Sequence, residues 1–129
     1  LGKNTISIFG NDYNTIDGTA IRDYIHVSDL ASIHIEAAKY LIEKKISNIF
    51  NCGYGKGYSV LEVINTANLI YENKIKFKYD ERRPGDSEKL ISNVDKLHQH
   101  IKWKPKFDDL KFIIKTAVDW EKKINEKNL

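Results

Sequence analysis

Apolar residues at positions 30, 33, 37 and 41 (Leu, Ile, Ala, Leu) repeat at the three-and-four spacing that places side chains on one face of an α-helix. Ser28 or Asp29 is the expected cap of this helix, and its end falls near Lys45. A second helix is announced by Ser59 and Glu62, the S-x-x-E capping box, and Val60, Ile64, Ala67 and Tyr71 line its face. A brief helix is predicted from Val94 to His100. Asp108 is expected to cap a last one, with Leu110, Ile113, Ala117, Trp120 and Ile124 inward. Between the helices the pattern turns β-like. Thr5 to Phe9 reads as a strand, Gly10 to Thr19 as a long polar loop, and Ile21 to Val27 as extended. Ser47 to Cys52 reads as a short buried strand entering the turn Gly53-Tyr-Gly55-Lys-Gly57, and Ile75 to Tyr79 as an edge strand. The turn Arg82-Arg83-Pro84-Gly85-Asp86 follows. Strands alternate with helices, so the class is α/β: a small sheet with several helices and no complete Rossmann unit. There is no internal repeat or low-complexity linker, and Lys123 to Leu129 is polar enough to fray.

Composition narrows the chemistry. The 129 residues suffice for one domain spanning 1–129. No apolar run nears the roughly 20 residues that span a membrane, and no charged, cleavable leader opens the chain, so a cytoplasmic location is expected. The chain begins at Leu1, inside a segment already β-like, which suggests a piece of something longer. A single cysteine, Cys52, allows neither an internal disulfide nor a cysteine metal site. The net charge is +3 with acids scattered among the lysines, which argues against a nucleic-acid stripe. Only three arginines occur, Arg22, Arg82 and Arg83. Arginine's planar fork matches phosphate oxygens as lysine's point charge does not.

Several motifs read as structural. Gly53, Gly55 and Gly57 sit between a strand and a helix, but a dinucleotide turn needs G-x-G-x-x-G, so a tight turn requiring positive φ is the reading. Tyr40-x-x-x-Lys44 has the spacing of a dehydrogenase Tyr/Lys pair but lies late in an amphipathic helix, with no nucleotide-binding unit before it. No catalytic, cofactor-binding or metal-binding residue is therefore assigned. His98 and His100 should face different sides of their helix, His26 reads as a core histidine, and Trp103 and Trp120 as core or interface aromatics. The 82–86 turn offers an arginine and, three residues on, a carboxylate. This suits a ligand carrying phosphate and neighbouring hydroxyls; a surface turn with a local ion pair is the alternative.

The run from Ile8 to Ala31, with Asp12-Tyr13, Asp17-Gly18-Thr19 and Ile21-Arg22-Asp23-Tyr24-Ile25-His26-Val27, resembles a segment of UDP-glucose 4-epimerases. The turn from Arg82 to Asp86 matches a later element of that family, and the run Asn51 to Ile64 a third, in the right order. These enzymes are extended short-chain dehydrogenases. The resemblance implies that the chain is their C-terminal, sugar-nucleotide-binding part. It implies an isomerase chemistry in which NAD takes hydride from C4 of the sugar and returns it to the other face, interconverting UDP-glucose and UDP-galactose. It further implies that Ser7, Ile8 and Phe9 meet the uracil largely through backbone groups, that Arg22 and Arg83 clamp the diphosphate, and that Asp86 accepts from the ribose hydroxyls. A further family contact, often a tyrosine, falls near Leu90, which cannot donate that hydrogen bond. Asp23, Tyr24 and His26 are expected to hold structure. NAD and the reacting groups would belong to a preceding domain, so the chain alone is expected to be inactive and prone to self-association, whereas the intact enzyme is expected to be a homodimer. Two other readings stay open: a stand-alone nucleotide-binding or interaction module, and an epimerase for UDP-N-acetylhexosamines.

Overall fold

A computed structural model describes residues 5–71 and 75–127. Nine elements follow in order: β1 (Thr5–Phe9), β2 (Ile21–Arg22), α1 (Val27–Lys44), β3 (Tyr58–Ser59), α2 (Val60–Ile70), β4 (Lys76–Asp80), β5 (Lys89–Leu90), α3 (Asp95–His100) and α4 (Leu110–Lys127). β1 and β4 pair in parallel, Thr5 opposite Lys76 through Phe9 opposite Asp80. β2 lies between β3, antiparallel to it, and β5, parallel to it.

The α2 cap forms as its sequence predicts. The Glu62 N–H donates to Ser59 Oγ at 3.0 Å, and the Ser59 N–H donates to the Glu62 carboxylate at 3.3 Å. The α1 cap differs from expectation: the N-cap is His26, whose Nδ1 accepts from the Ser28 N–H at 3.1 Å. Asp29, expected as a possible cap, is fully buried inside the first turn instead. Its carboxylate accepts from the Tyr54 hydroxyl at 2.7 Å and from the Phe107 N–H at 2.9 Å, bridging α1 to the approach to α4. The α4 cap is Asp109, not Asp108, since the Phe112 N–H donates to Asp109 Oδ1 at 2.7 Å. Asp108 is drawn away by Lys56, 2.8 Å from its carboxylate.

Two apolar clusters form the core. Ile33, Leu97, Ile101 and Trp103 gather beneath α1, with Tyr40 and Phe50 against them. Ala67, Leu110 and Ile114 join α2 to α4. The inward face predicted for α4 is partly corrected: Leu110 and Ile114 are buried, whereas Ala117 and Trp120 are exposed. Among the described elements α2 is the main one packed along α4, and one helix covers only a narrow stripe. The strand expected at 47–52 does not form; the segment is irregular and Ile49 is 82% exposed. A strand requires a neighbour to take its N–H and C=O groups, and no described strand pairs with this segment. α4 stays helical to Lys127, so of the tail expected to fray only residues 128–129 lie outside the described residues.

Candidate ligand-binding site

β1 and β4 run in the same direction, so the loops leaving their C-terminal ends emerge at one edge. Sites in α/β sheets gather at such carboxyl ends. There the 82–86 turn meets β1 and β2. The Arg22 guanidinium donates to its neighbour's carbonyl, Ile21 O, at 2.8 Å and to the Asp86 carboxylate. The Asp86 N–H donates to Arg83 O at 3.1 Å, closing the turn. The Arg83 guanidinium carbon lies 4.0 Å from the centroid of the Phe9 ring, a cation–π contact. Four of the residues predicted from sequence, Phe9, Arg22, Arg83 and Asp86, thus form one connected chain of contacts, although 73 residues separate Phe9 from the start of the turn at Arg82. Ile8 is buried, so it can offer a ligand only its backbone. The Ser7 hydroxyl is engaged by Asp80, and this hydrogen bond, with a second from Lys78, holds the Asp80 carboxyl below its usual value.

The cations differ in what they face. Arg22 is paired with Asp86, and Arg82 with Asp12, Nε to Oδ1 at 2.6 Å. Among the described residues no carboxylate pairs with Arg83. Beside Arg22, a depression of about 350 Å³ is lined by Asp23, Asn51, Leu90, Ile91 and Ser92. Leu90, where the resemblance would favour a tyrosine, is 63% exposed at its rim. Asp23 belongs to this lining, and its carboxylate ties together the loops around it. It accepts from the N–H groups of Tyr54 and Gly55, each at 3.1 Å, and of Ser92 at 3.3 Å. Its structural role is that expected from sequence, and it holds β2 against two loops.

The other sequence motifs are occupied with packing. Tyr40 stacks edge-on against Phe50, with centroids 5.6 Å apart, and Lys44 bonds Glu43. Gly55 has φ 72°, as its turn required. A Cβ on Gly53 would lie 2.3 Å from Asp23 Oδ2, so this glycine turn is filled from within and offers no cradle for a dinucleotide. This turn therefore does not fit the pyrophosphate of NAD. His26 lies 6% exposed against the stacked pair Phe107 and Phe112, ring centroids 4.7 and 5.5 Å away, with Nε2 at 3.0 Å from Thr116 Oγ1. His98 stacks on Trp103 while His100 faces Tyr40 and Phe50, so the two point apart as predicted. Burial raises the pKa of the Cys52 thiol, which leaves it a poor nucleophile at neutral pH.

Two carboxylates that shape the site went unassigned in the sequence, Asp12 and Asp17. Asp17 Oδ1 accepts from the Thr19 N–H at 2.9 Å and its hydroxyl at 2.7 Å, and Oδ2 accepts from the Ser59 hydroxyl. The polar loop is thereby tied to the start of α2. The only available signal was the Asp-Gly-Thr spelling of residues 17–19, which marks a turn but not its distant partner.

The chain matches known proteins along most of its length. The family model described as GDP-mannose 4,6 dehydratase matches residues 1–116. The UDP-glucose 4-epimerase of Azospirillum brasilense is 42% identical over 121 residues, which cover 94% of this chain and 35% of that protein. The solved UDP-Glc/GlcNAc 4-epimerase of Campylobacter jejuni superposes with a TM-score of 0.84 at 45% identity, covering 94% of this chain and 36% of its own. The UDP-glucose 4-epimerase of Stenotrophomonas maltophila, solved with NAD and formylated UDP-arabinopyranose, gives a TM-score of 0.90 at 33% identity over 97% of this chain and 37% of its own. The chain spans about a third of the length of the relatives it matches. By the extent of that family match the chain belongs to the GDP-mannose 4,6 dehydratase family, among the extended short-chain dehydrogenases that include the UDP-glucose 4-epimerases.

Proposed function

We propose that residues 1–129 are the C-terminal, UDP-sugar-binding domain of a UDP-glucose 4-epimerase, an enzyme interconverting UDP-glucose and UDP-galactose by NAD-mediated oxidation and reduction at C4. The observation that carries this reading is the chain of contacts from Phe9 through Arg83 and Asp86 to Arg22, in a chain 42% identical to such an enzyme. In this reading Arg22 and Arg83 hold the diphosphate, Asp86 accepts from the ribose hydroxyls, and backbone groups of Ser7, Ile8 and Phe9 meet the uracil. Firm grip on the non-reacting nucleotide leaves the sugar free to present either face. The reacting groups and NAD belong to the rest of the longer enzyme, and the 129-residue chain alone has no epimerase activity.

In this reading a bound diphosphate and ribose would compete for the contact between Arg22 and Asp86. Arg83 lies over the Phe9 ring with no carboxylate partner among the described residues, and it supplies the least compensated charge. Loss of a charge-assisted phosphate contact costs roughly 1.5–3 kcal/mol. Calorimetric titration with UDP should therefore show Arg83→Ala binding about 10- to 100-fold more weakly than wild type. Equal affinities would remove Arg83 from the site, and detectable turnover of UDP-glucose by the chain alone would overturn its proposed inactivity. A second reading, an epimerase that also accepts UDP-N-acetylhexosamines, is favoured by the 45% identity to the Campylobacter enzyme described as acting on UDP-Glc and UDP-GlcNAc. Parallel activity assays of the longer enzyme with both sugar nucleotides separate the two.

A further inference from the structure

The two adjacent arginines of the 82–86 turn have different surroundings. Arg83 stacks over Phe9 and Arg82 over Tyr13, each guanidinium carbon 4.0 Å from its ring centroid. The aromatics flank Gly10, so a doublet of arginines lies along a pair of rings at the end of β1. Arg82 goes further. Its Nε donates to Asp12 Oδ1 at 2.6 Å and a terminal nitrogen donates to Asp12 O, so one guanidinium grips both the side chain and the backbone of the polar loop. Gly10 leaves room for this: φ is 88°, and a Cβ there would lie 2.8 Å from Arg82 Cγ and 2.6 Å from Tyr13 Cε2. Tyr13 is only 5% exposed, so the ring under Arg82 is a fixed platform. Arg83 has no such anchor, and its guanidinium remains available to an anion.

The geometry points to Arg82 as a positioning residue: by clamping Asp12 and Tyr13 it sets the 82–86 turn so that Arg83 and Asp86 face a nucleoside diphosphate. This rests on the UDP-binding reading given above, and it assigns work to a residue that the reading leaves idle. Lysine cannot substitute, because it lacks the planar fork that reaches two acceptors while lying on a ring.

The test turns on a difference in sign. Asp12→Asn removes a negative charge close to the site, so simple electrostatics predicts tighter UDP binding. Positioning predicts the opposite, about fivefold weaker binding, the scale of one lost exposed ion pair. Arg82→Lys keeps the charge and should weaken UDP to a similar degree. In both variants the dependence of affinity on salt should become shallower, because Arg83 no longer meets the phosphate squarely. A general loss of stability would not alter that slope. The Asp12 side chain is 70% exposed, so the thermal midpoint should change little. A second measurement needs no ligand: the Asp86 amide, bonded to Arg83 O, should exchange with deuterium faster in Asp12→Asn than in wild type. Unchanged or tighter UDP binding in Asp12→Asn, or unchanged exchange at Asp86, overturns the proposal. Failure of wild type to bind UDP, or an unchanged affinity in Arg83→Ala, counts instead against the UDP reading; the exchange result then decides the role of Arg82 by itself.

Discussion

Asp17 shows how one carboxylate can set a loop. Burial acts to raise its pKa, but hydrogen bonds from the Ser59 hydroxyl and from the Thr19 hydroxyl and amide outweigh that and hold it below the ordinary aspartate range. The sign of the linkage follows. A carboxyl with a depressed folded pKa binds protons more readily unfolded, so its stabilisation is complete above the unfolded value and is lost as pH falls through the folded one. Thermal melts from about pH 7 down to pH 3 should therefore show wild type losing its advantage over Asp17→Asn as acid is added. A constant gap across that range would mean that Asp17 is not held as its contacts indicate. Asp17 has the same short Asp-turn spelling that many surface loops carry. Its partner Ser59 lies 42 residues away, so local sequence could show a turn but not the bond that anchors it.

At the scale of elements, the three longer helices begin in three ways. Ser59 and Glu62 cap α2 reciprocally, both partners lie within four residues, and the sequence alone exposes them. α1 starts from a histidine, an uncommon cap. Its ring accepts from the Ser28 N–H because Phe107, Phe112 and Thr116 hold it in place from the far end of the chain. At α4 two adjacent aspartates compete and a tertiary contact settles the outcome, Lys56 taking Asp108 and leaving Asp109 to the helix. Replacing Asp109 by Ala should cost about 1 kcal/mol, the usual loss for a cap. Asp108→Ala removes only a partly exposed ion pair and should cost less than about half as much. Denaturant unfolding of the two variants checks this, and the reverse order would reassign the cap.

Across the whole molecule, apolar side chains stand exposed along α1 and the segment after it. Ile42 is 76% exposed, Ile35, Ile46 and Ile49 are exposed as well, and a depression of about 290 Å³ is lined by Ala38, Leu41, Ile46 and Phe50. Exposed apolar area of this kind drives association. The 129-residue chain should shift from monomer to larger species with rising concentration in sedimentation velocity, and Ile42→Lys with Ile49→Lys should suppress the shift. Wild type remaining monomeric at high concentration would show that this face does not self-associate.

Much of the architecture was legible without coordinates. Helical spacing, the capping box, the β-like run at Thr5–Phe9 and the Arg-x-x-Asp turn are all written within a few neighbouring residues, and backbone geometry acts on them locally. The tertiary structure alone decided which partner each charged group took. It placed Asp86 on Arg22, Asp12 on Arg82, Asp108 on Lys56, and Asp29 beneath Tyr54. It also left 47–52 without a partner among the described strands and turned Trp120 outward. A carboxylate is spelled the same way whether it caps a helix, ties a loop or faces a ligand. Hydrogen bonding and burial depend on distances through space, and those exist only once the chain has folded.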